Sequence, residues 1–397
     1  MKPTPERGFP DDEYAARCAA LQAAMAREAV DAVLFASEAE IRYFTGFMTP
    51  FWQSPTRPWY VVIPLMGKPV AVIPSIGGPL MRSCHVDEVL TWPAPAESDD
   101  GVSLLASTIR RHAAPGQRLG LLMGRETALR MPAADMMALR AMLPDVELHD
   151  MTADVQGIRM VKSPREIAKI RHICGIVCNV FDGLPDWAQE GMPIAELFRE
   201  FKRAALAAGA DDVSYLVGTA GPEGYNDIIA PPDERPLATG DVLMLDTGCV
   251  WDGYFCDFDR NFAIASASAA AQEAHRKLYD AIEAAMPVAR PGRSASELFT
   301  AMDKVLRDGR LGGDDVGRYG HGLGIQLTEP PSHTEWDHTQ LRTNMVITLE
   351  PSISYSTSDG QQRMMVAEEN LIITENGPDF LTRRAPREFP VIAGRTT

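Results

Sequence analysis

The sequence predicts a chain of mixed α/β (α+β) class in two domains, residues 1–155 and 156–397, the second built on a duplicated helix-plus-hairpin unit. Three observations predict it. Apolar strand-like runs alternate with amphipathic helical stretches through the first 150 or so residues, the pattern of an α/β domain. A polar, turn-forming KSPRE then leads into a long helical stretch. In the second half, EGMPIAELFREF and RPGRSASELFTAM share one spacing, Gly191, Glu196, Leu197 and Phe198 against Gly292, Glu297, Leu298 and Phe299. About 104 residues separate GDVLMLD from TNMVITLE, which aligns Asp246 with Glu350, and Asp257 and Glu368 are expected to close the second strand of each hairpin. Such self-similarity would bring four carboxylates to one pseudo-two-fold axis.

Taken in order, residues 12–30 read as an amphipathic helix and AVLFASE as a buried strand. RPWYVVIPLM, PVAVIPS and QRLGLLM are further strands, and AADMMALRAML a helix, separated by Gly/Pro turns. REIAKIRHICGIVCNVFDGL opens the second domain as a long helix.

Bulk properties exclude several classes. With 397 residues, 45% hydrophobic and 23% charged, the chain can bury two cores. A net charge of −16 argues against nucleic acid as partner. No apolar run reaches the roughly 18 residues of a membrane helix, and MKPTPERGFPDDEY lacks the apolar stretch of a secretory signal, so a cytoplasmic location is expected. The six cysteines show no CxxC spacing and are expected to be buried thiols.

The chemistry is sought in Asp246, Asp257, His321, Glu350 and Glu368, each in or beside an apolar run. A charge in an apolar strand is costly unless paired or bound to a metal. Four acids and one imidazole suit one or two divalent cations. Gly248, Asp252 and Gly253 look like turn material that would set Asp246 and Asp257 on neighbouring strands. Pro351 ends the strand at Glu350, one of Glu368 and Glu369 should face inward, and His321 lies between two glycines.

On these motifs the chain resembles the creatinase, prolidase, aminopeptidase P and methionine aminopeptidase superfamily, whose fold is the pita bread. DTGCVWDGYFCD, GHGLG, TLEPSI and AEENLIITENG are similar to its ligand-bearing segments. EIRYFTGF and VKSPREIAKIR are similar to the creatinase/prolidase-like N-terminal domain and linker. The resemblance implies a dinuclear Xaa-Pro aminopeptidase- or dipeptidase-like metallohydrolase, acting on a small peptide or amide as a homodimer. Two divalent ions are implied, manganese ahead of cobalt, iron or zinc. Asp257 and Glu368 would bridge them, Asp246 would complete one, and His321 and Glu350 the other. Glu350 would also shuttle the proton to the leaving nitrogen.

The sequence departs from the family at the substrate side. GYNDIIAPPDERPL has no histidine where the peptidases usually carry one, and Thr328-Glu329-Pro330 stands where His-Glu-Pro is usual. Val366 replaces a common arginine, which leaves Arg363 as a nearby substitute. Thr328, Glu329, His333 and Arg363 are therefore the candidate substrate contacts. The lost histidines favour one rival, a metal-dependent lyase or other non-peptidase acting on a small zwitterion; a second rival is a non-catalytic metal-stabilised binding module. His85, His112, His149, His172 and His275 read as structural. Phe47, Phe51, Trp52, Trp59 and Tyr60 would either line a pocket or fill a core or interface.

Overall fold

The computed structural model describes residues 3–54, 58–307 and 317–394. They divide into two compact units, Glu6–Arg159 and a second from Met160 onward.

The first unit is a six-stranded sheet. From one edge its strands are Glu88–Trp92, Val70–Pro74, Tyr60–Pro64, Ala32–Phe35, Arg118–Leu121 and Glu147–Asp150. Ala32–Phe35 and Tyr60–Pro64 are buried at every residue, as expected of strands covered on both faces. Helices Asp11–Glu28, Val102–His112 and Ala133–Met142 fall in the intervals where 3.6-residue periodicity is visible. The strand expected from RPWYVVIPLM starts at Tyr60; Arg57 lies outside the described residues. The aromatic cluster fills the core. Trp59 lies 5.3 Å from Phe47 and 6.1 Å from Trp52, ring centre to ring centre, and only Phe51 is exposed.

The second unit carries the repeat. Helix Pro164–Trp187 opens with Pro164 in its first turn and a capping box in which Ser163 and Glu166 satisfy each other's backbone N–H. Helix Ile194–Ala207 leads to the antiparallel strands Asp212–Pro222, Asp241–Trp251 and Phe258–Ile264. Phe181 of the long helix sits 4.9 Å from Phe201 and 5.5 Å from Phe258, fixing helix to helix and helix to sheet. After helix Ala269–Ala285 the second copy begins, with a second capping box, Ser294 and Glu297, on helix Ala295–Leu306. Its sheet runs Glu329–Ser332, His321–Gly322, Val346–Leu349, Glu369–Thr374 and Gly377–Phe380. Two half-sheets with matching helices make the pita-bread architecture.

Three local expectations change. Asp257 and Glu368 precede strands Phe258–Ile264 and Glu369–Thr374, so they open these strands rather than close them. Gly248 lies within strand Asp241–Trp251, not in the turn; a side chain there would meet Leu327 at 2.3 Å. The duplication is also inexact. Asp246 stands opposite Asp259, whereas Glu350 follows the end of its strand, because Pro351 cannot donate to a ladder. The chain leaves there through an extra hairpin, Ser352–Ser356 with Gln362–Val366, before returning at Glu368.

Candidate metal centre

A two-residue turn builds the first half of the centre. Asp252 and Gly253 both have positive φ, 48° and 78°, the requirement of a type I′ hairpin. Lys169, from the long helix, forms a buried ion pair with Asp252 and so anchors the tip. This hairpin carries Asp246 and leads directly into Asp257.

The second half depends on glycines that let backbones approach. A Cβ on Gly320 would lie 2.4 Å from the Thr348 carbonyl, and one on Gly322 would lie 2.1 Å from that of Pro330. Between them, His321 is gripped at both ends. Its N–H meets Thr348 Oγ1 at 3.2 Å, and its Nδ1 lies 2.8 Å from the Gly322 carbonyl. A ring nitrogen against a carbonyl must carry the proton, so Nε2 presents its lone pair. That nitrogen lies 3.4 Å from Asp257 Oδ2 and 3.9 Å from Glu350 Oε2.

Asp257, His321 and Glu368 each offer a donor atom, and these three atoms lie within 4.8 Å of one another. All three residues are buried, while Asp246 and Glu350 are half-buried. Asp246 accepts from the Tyr215 hydroxyl. Among the described residues, neither Asp246 Oδ1 nor Glu368 Oε1 has a hydrogen-bond partner, although both atoms are buried. Two carboxylate charges at such a distance repel by about 3 kcal/mol at an effective dielectric of about 20. Without a cation the centre therefore has to hold protons. Burial pushes Asp246 up to about 7. Burial, helped by the charge of Asp246, pushes Glu350 up to about 8. Burial first, then the charge of Asp246 for Asp257 and of Asp257 for Glu368, raises both well above the carboxylate range. Burial, with Arg318 nearby, drops His321 to about 4 and keeps it neutral. Orphaned oxygens, a neutral imidazole and crowded acids are what a divalent-cation site requires of its donors.

The candidate substrate contacts are placed unevenly. Thr328 is half-buried in a bend whose Leu327 packs on Gly248, two residues from Asp246. Glu329 is tied to its own loop. Its Oε1 accepts from the N–H groups of Ile325 and Gln326, both at 3.1 Å, and its Oε2 pairs with buried Lys162 at 3.0 Å. Replacing Glu329 with Ala is expected to lower unfolding stability by about 3–5 kcal/mol, because it strips a buried ammonium of its carboxylate; urea unfolding measures this. His333 pairs through its backbone with Gly320, one step from the His321–Ser332 pair, so its ring stands on the opposite face of the strand from His321. It is fully buried, and burial drops it to about 3. Arg363 lies on the extra hairpin, reaching the Pro222 carbonyl at 3.3 Å and Gln361 Oε1 at 2.7 Å. Glu368 and Glu369 are both buried, the latter paired with Arg260 at 3.0 Å.

Sequence reasoning missed Tyr215, Asp259, Arg318 and Asn370. Asp259 and Asn370 each stand two residues beyond a cluster acid, on the same face of an extended chain, and that spacing was a usable signal.

Comparison with known proteins agrees with this architecture. The model of metallopeptidase family M24 matches residues 168–375, and that of the creatinase/prolidase N-terminal domain matches residues 17–161. A probable dipeptidase PepE of Mycobacterium tuberculosis is 25% identical over 392 residues, covering 97% of this chain and 98% of that one. The Xaa-Pro dipeptidase of Pyrococcus furiosus is 27% identical over 241 residues, 58% of this chain and 65% of that one. The crystal structure of a prolidase from Thermococcus sibiricus superposes with a TM-score of 0.84 over 95% of this chain and 99% of that one, a likeness of fold at 23% identity. From fold, donor set and matched length together, this chain belongs to metallopeptidase family M24.

Proposed function

We propose that the chain is a dinuclear metal-dependent hydrolase, Xaa-Pro peptidase-like, that cleaves a C–N bond in a small peptide or amide. The observation that carries this reading is the convergence of Asp257, His321 and Glu368 within 4.8 Å, in a buried nest of acids with unpartnered oxygens. Asp257, Glu368, Asp246, His321 through Nε2 and Glu350 would hold the two ions. When bound, the ions would supply Lewis acidity, lowering the pKa of water and polarising the scissile carbonyl. The chain's own residues do the rest. Glu350, half-buried just past the end of its strand, takes a proton from water as the carboxylate and passes it to the leaving nitrogen. The Nδ1–Gly322 hydrogen bond fixes the His321 tautomer. Thr328 and Arg363 remain candidates for holding substrate, Thr328 first because its loop lies against the Asp246 strand, whereas His333, fully buried on the face opposite His321, reads as structural.

Four of the five donors are carboxylates, which makes manganese the first ion to try. In this reading Glu6–Arg159 is the N-terminal domain and the unit from Met160 is the catalytic one. A homodimer and a cytoplasmic location complete it, and sedimentation tests the former. Among the described residues no helix is long and apolar enough to cross a membrane. Thr328 and the histidine-free segment GYNDIIAPPDERPL favour a second reading, elimination on a small zwitterion.

The deciding experiment measures product formation by Mn- and Co-loaded protein on Xaa-Pro dipeptides and tripeptides, beside an Asp257→Ala variant. Cleavage that vanishes in the variant supports the hydrolase. Fully loaded, folded protein that cleaves none of them overturns the peptidase reading.

A further inference from the structure

Asp257 and Glu368 share an irregularity. Residues 256–257 fall in the break between strands Tyr254–Phe255 and Phe258–Ile264, and residues 367–368 between Gln362–Val366 and Glu369–Thr374. In a break the peptide groups lose their ladder partners, and a buried one left unpaired costs about 1–3 kcal/mol.

Side chains supply the partners, and they come from the other half-sheet. The Asp257 N–H donates to Asn370 Oδ1 at 3.0 Å, and Asn370 Nδ2 donates back to the Asp257 carbonyl. The Glu368 N–H donates to Asp259 Oδ1, and Arg260 Nη1 donates to the Glu368 carbonyl at 3.0 Å. Each half of the repeat thus holds the acid of the other half by both its N–H and its C=O. The clamp is itself braced. Asp259 Oδ2 accepts from Asn261 Nδ2 at 2.9 Å, Asn261 Oδ1 accepts from the Tyr225 hydroxyl at 2.9 Å, and Arg260 is paired with Glu369. Among the described residues no ladder joins the two half-sheets. Backbone bonds cross between the halves from Phe255 to Gly324 and from Met364 to Tyr225, and at the two acids themselves the crossing is made by these side chains.

We propose that Asp259, Arg260 and Asn370 are positioning residues that fix the separation of the Asp257 and Glu368 carboxylates, and through it the affinity for a divalent cation. The inference rests on the reading of those two acids as metal ligands. Loss of such outer support costs about 10–100-fold in affinity.

The test is calorimetric titration of Mn2+ into metal-free protein, with melting of the same samples, for the unmodified chain, Asn370→Ser, Arg260→Lys and Ser294→Ala. Asn370→Ser is too short to span both groups of Asp257, and Arg260→Lys keeps the charge facing Glu369 but loses the fork. Each is expected to weaken Mn2+ binding at least 10-fold while remaining folded. Ser294→Ala removes a helix cap and is expected to lower melting without changing affinity. If Asn370→Ser does not fold, Arg260→Lys decides. Undiminished affinity in the folded clamp variants, even with lowered melting, overturns the inference alone. An unmodified chain that binds no Mn2+ overturns the metal-centre reading, and this inference with it.

Discussion

Glu350→Gln is expected to lower kcat on the best substrate by about 100- to 10,000-fold, the range for losing a positioned proton-transfer group. The amide keeps the shape of the side chain but neither holds the proton nor offers a charged oxygen. Folding should survive. Glu350 is half-buried, lies outside the ladder that ends at Leu349, and contributes a charge that the metal-free protein has to neutralise. Metal content after dialysis separates the two ways the variant can fail. Retained metal with lost turnover identifies the proton shuttle, whereas lost metal identifies a ligand. Activity equal to that of the unmodified chain would sink both roles.

The second large effect is on stability, and its sign follows from the raised carboxyls. Asp246 moves from 3.8 to about 7 and Glu350 from 4.5 to about 8, chiefly through burial. The folded, metal-free protein therefore takes up protons that the unfolded chain does not. The stability these groups contribute is complete below their unfolded values and is lost as pH rises through about 7 and 8. His321 runs the other way. Its pKa falls from 6.5 to about 4, so its contribution is present above 6.5 and lost as pH falls through about 4. Between about pH 7 and about pH 8 the imidazole term is nearly constant and the carboxylates dominate. Chelator-treated protein should melt at a lower temperature at the higher pH. Mn2+ should remove most of that slope, because a cation replaces the protons. Equal melting at both pH values after chelation would contradict the crowded-acid account.

Much of this centre was legible because charge in an apolar strand is rare and expensive. Asp246, Asp257, His321, Glu350 and Glu368 stand out on that ground; Asp257, His321 and Glu368 converge within 4.8 Å, and Glu350 reaches to 3.9 Å from His321. The repeat was legible in two copies of Glu-Leu-Phe after a glycine. What stayed hidden was relational. Glu329 looked like a site acid, but its partner Lys162 lies 167 residues away in sequence. Tyr215 reads as an ordinary strand aromatic until it meets Asp246. The places of Asp257 and Glu368 at strand breaks depend on where hairpins start, and element ends are the least readable part of a sequence. Gly248 reads as a turn residue in the sequence because its reason, contact with Leu327, comes from another segment.

The cross-seam clamp joins residues 113 positions apart. At translation speeds of about 5–20 residues per second, that span separates the two halves by roughly 5–20 s on the ribosome. Throughout that interval the acids of the first hairpin have no opposite strand to brace them. Contacts this distant in sequence also tend to form late. The centre should therefore come together after both half-sheets exist, which makes cation capture a finishing event in maturation rather than a nucleus around which the chain collapses.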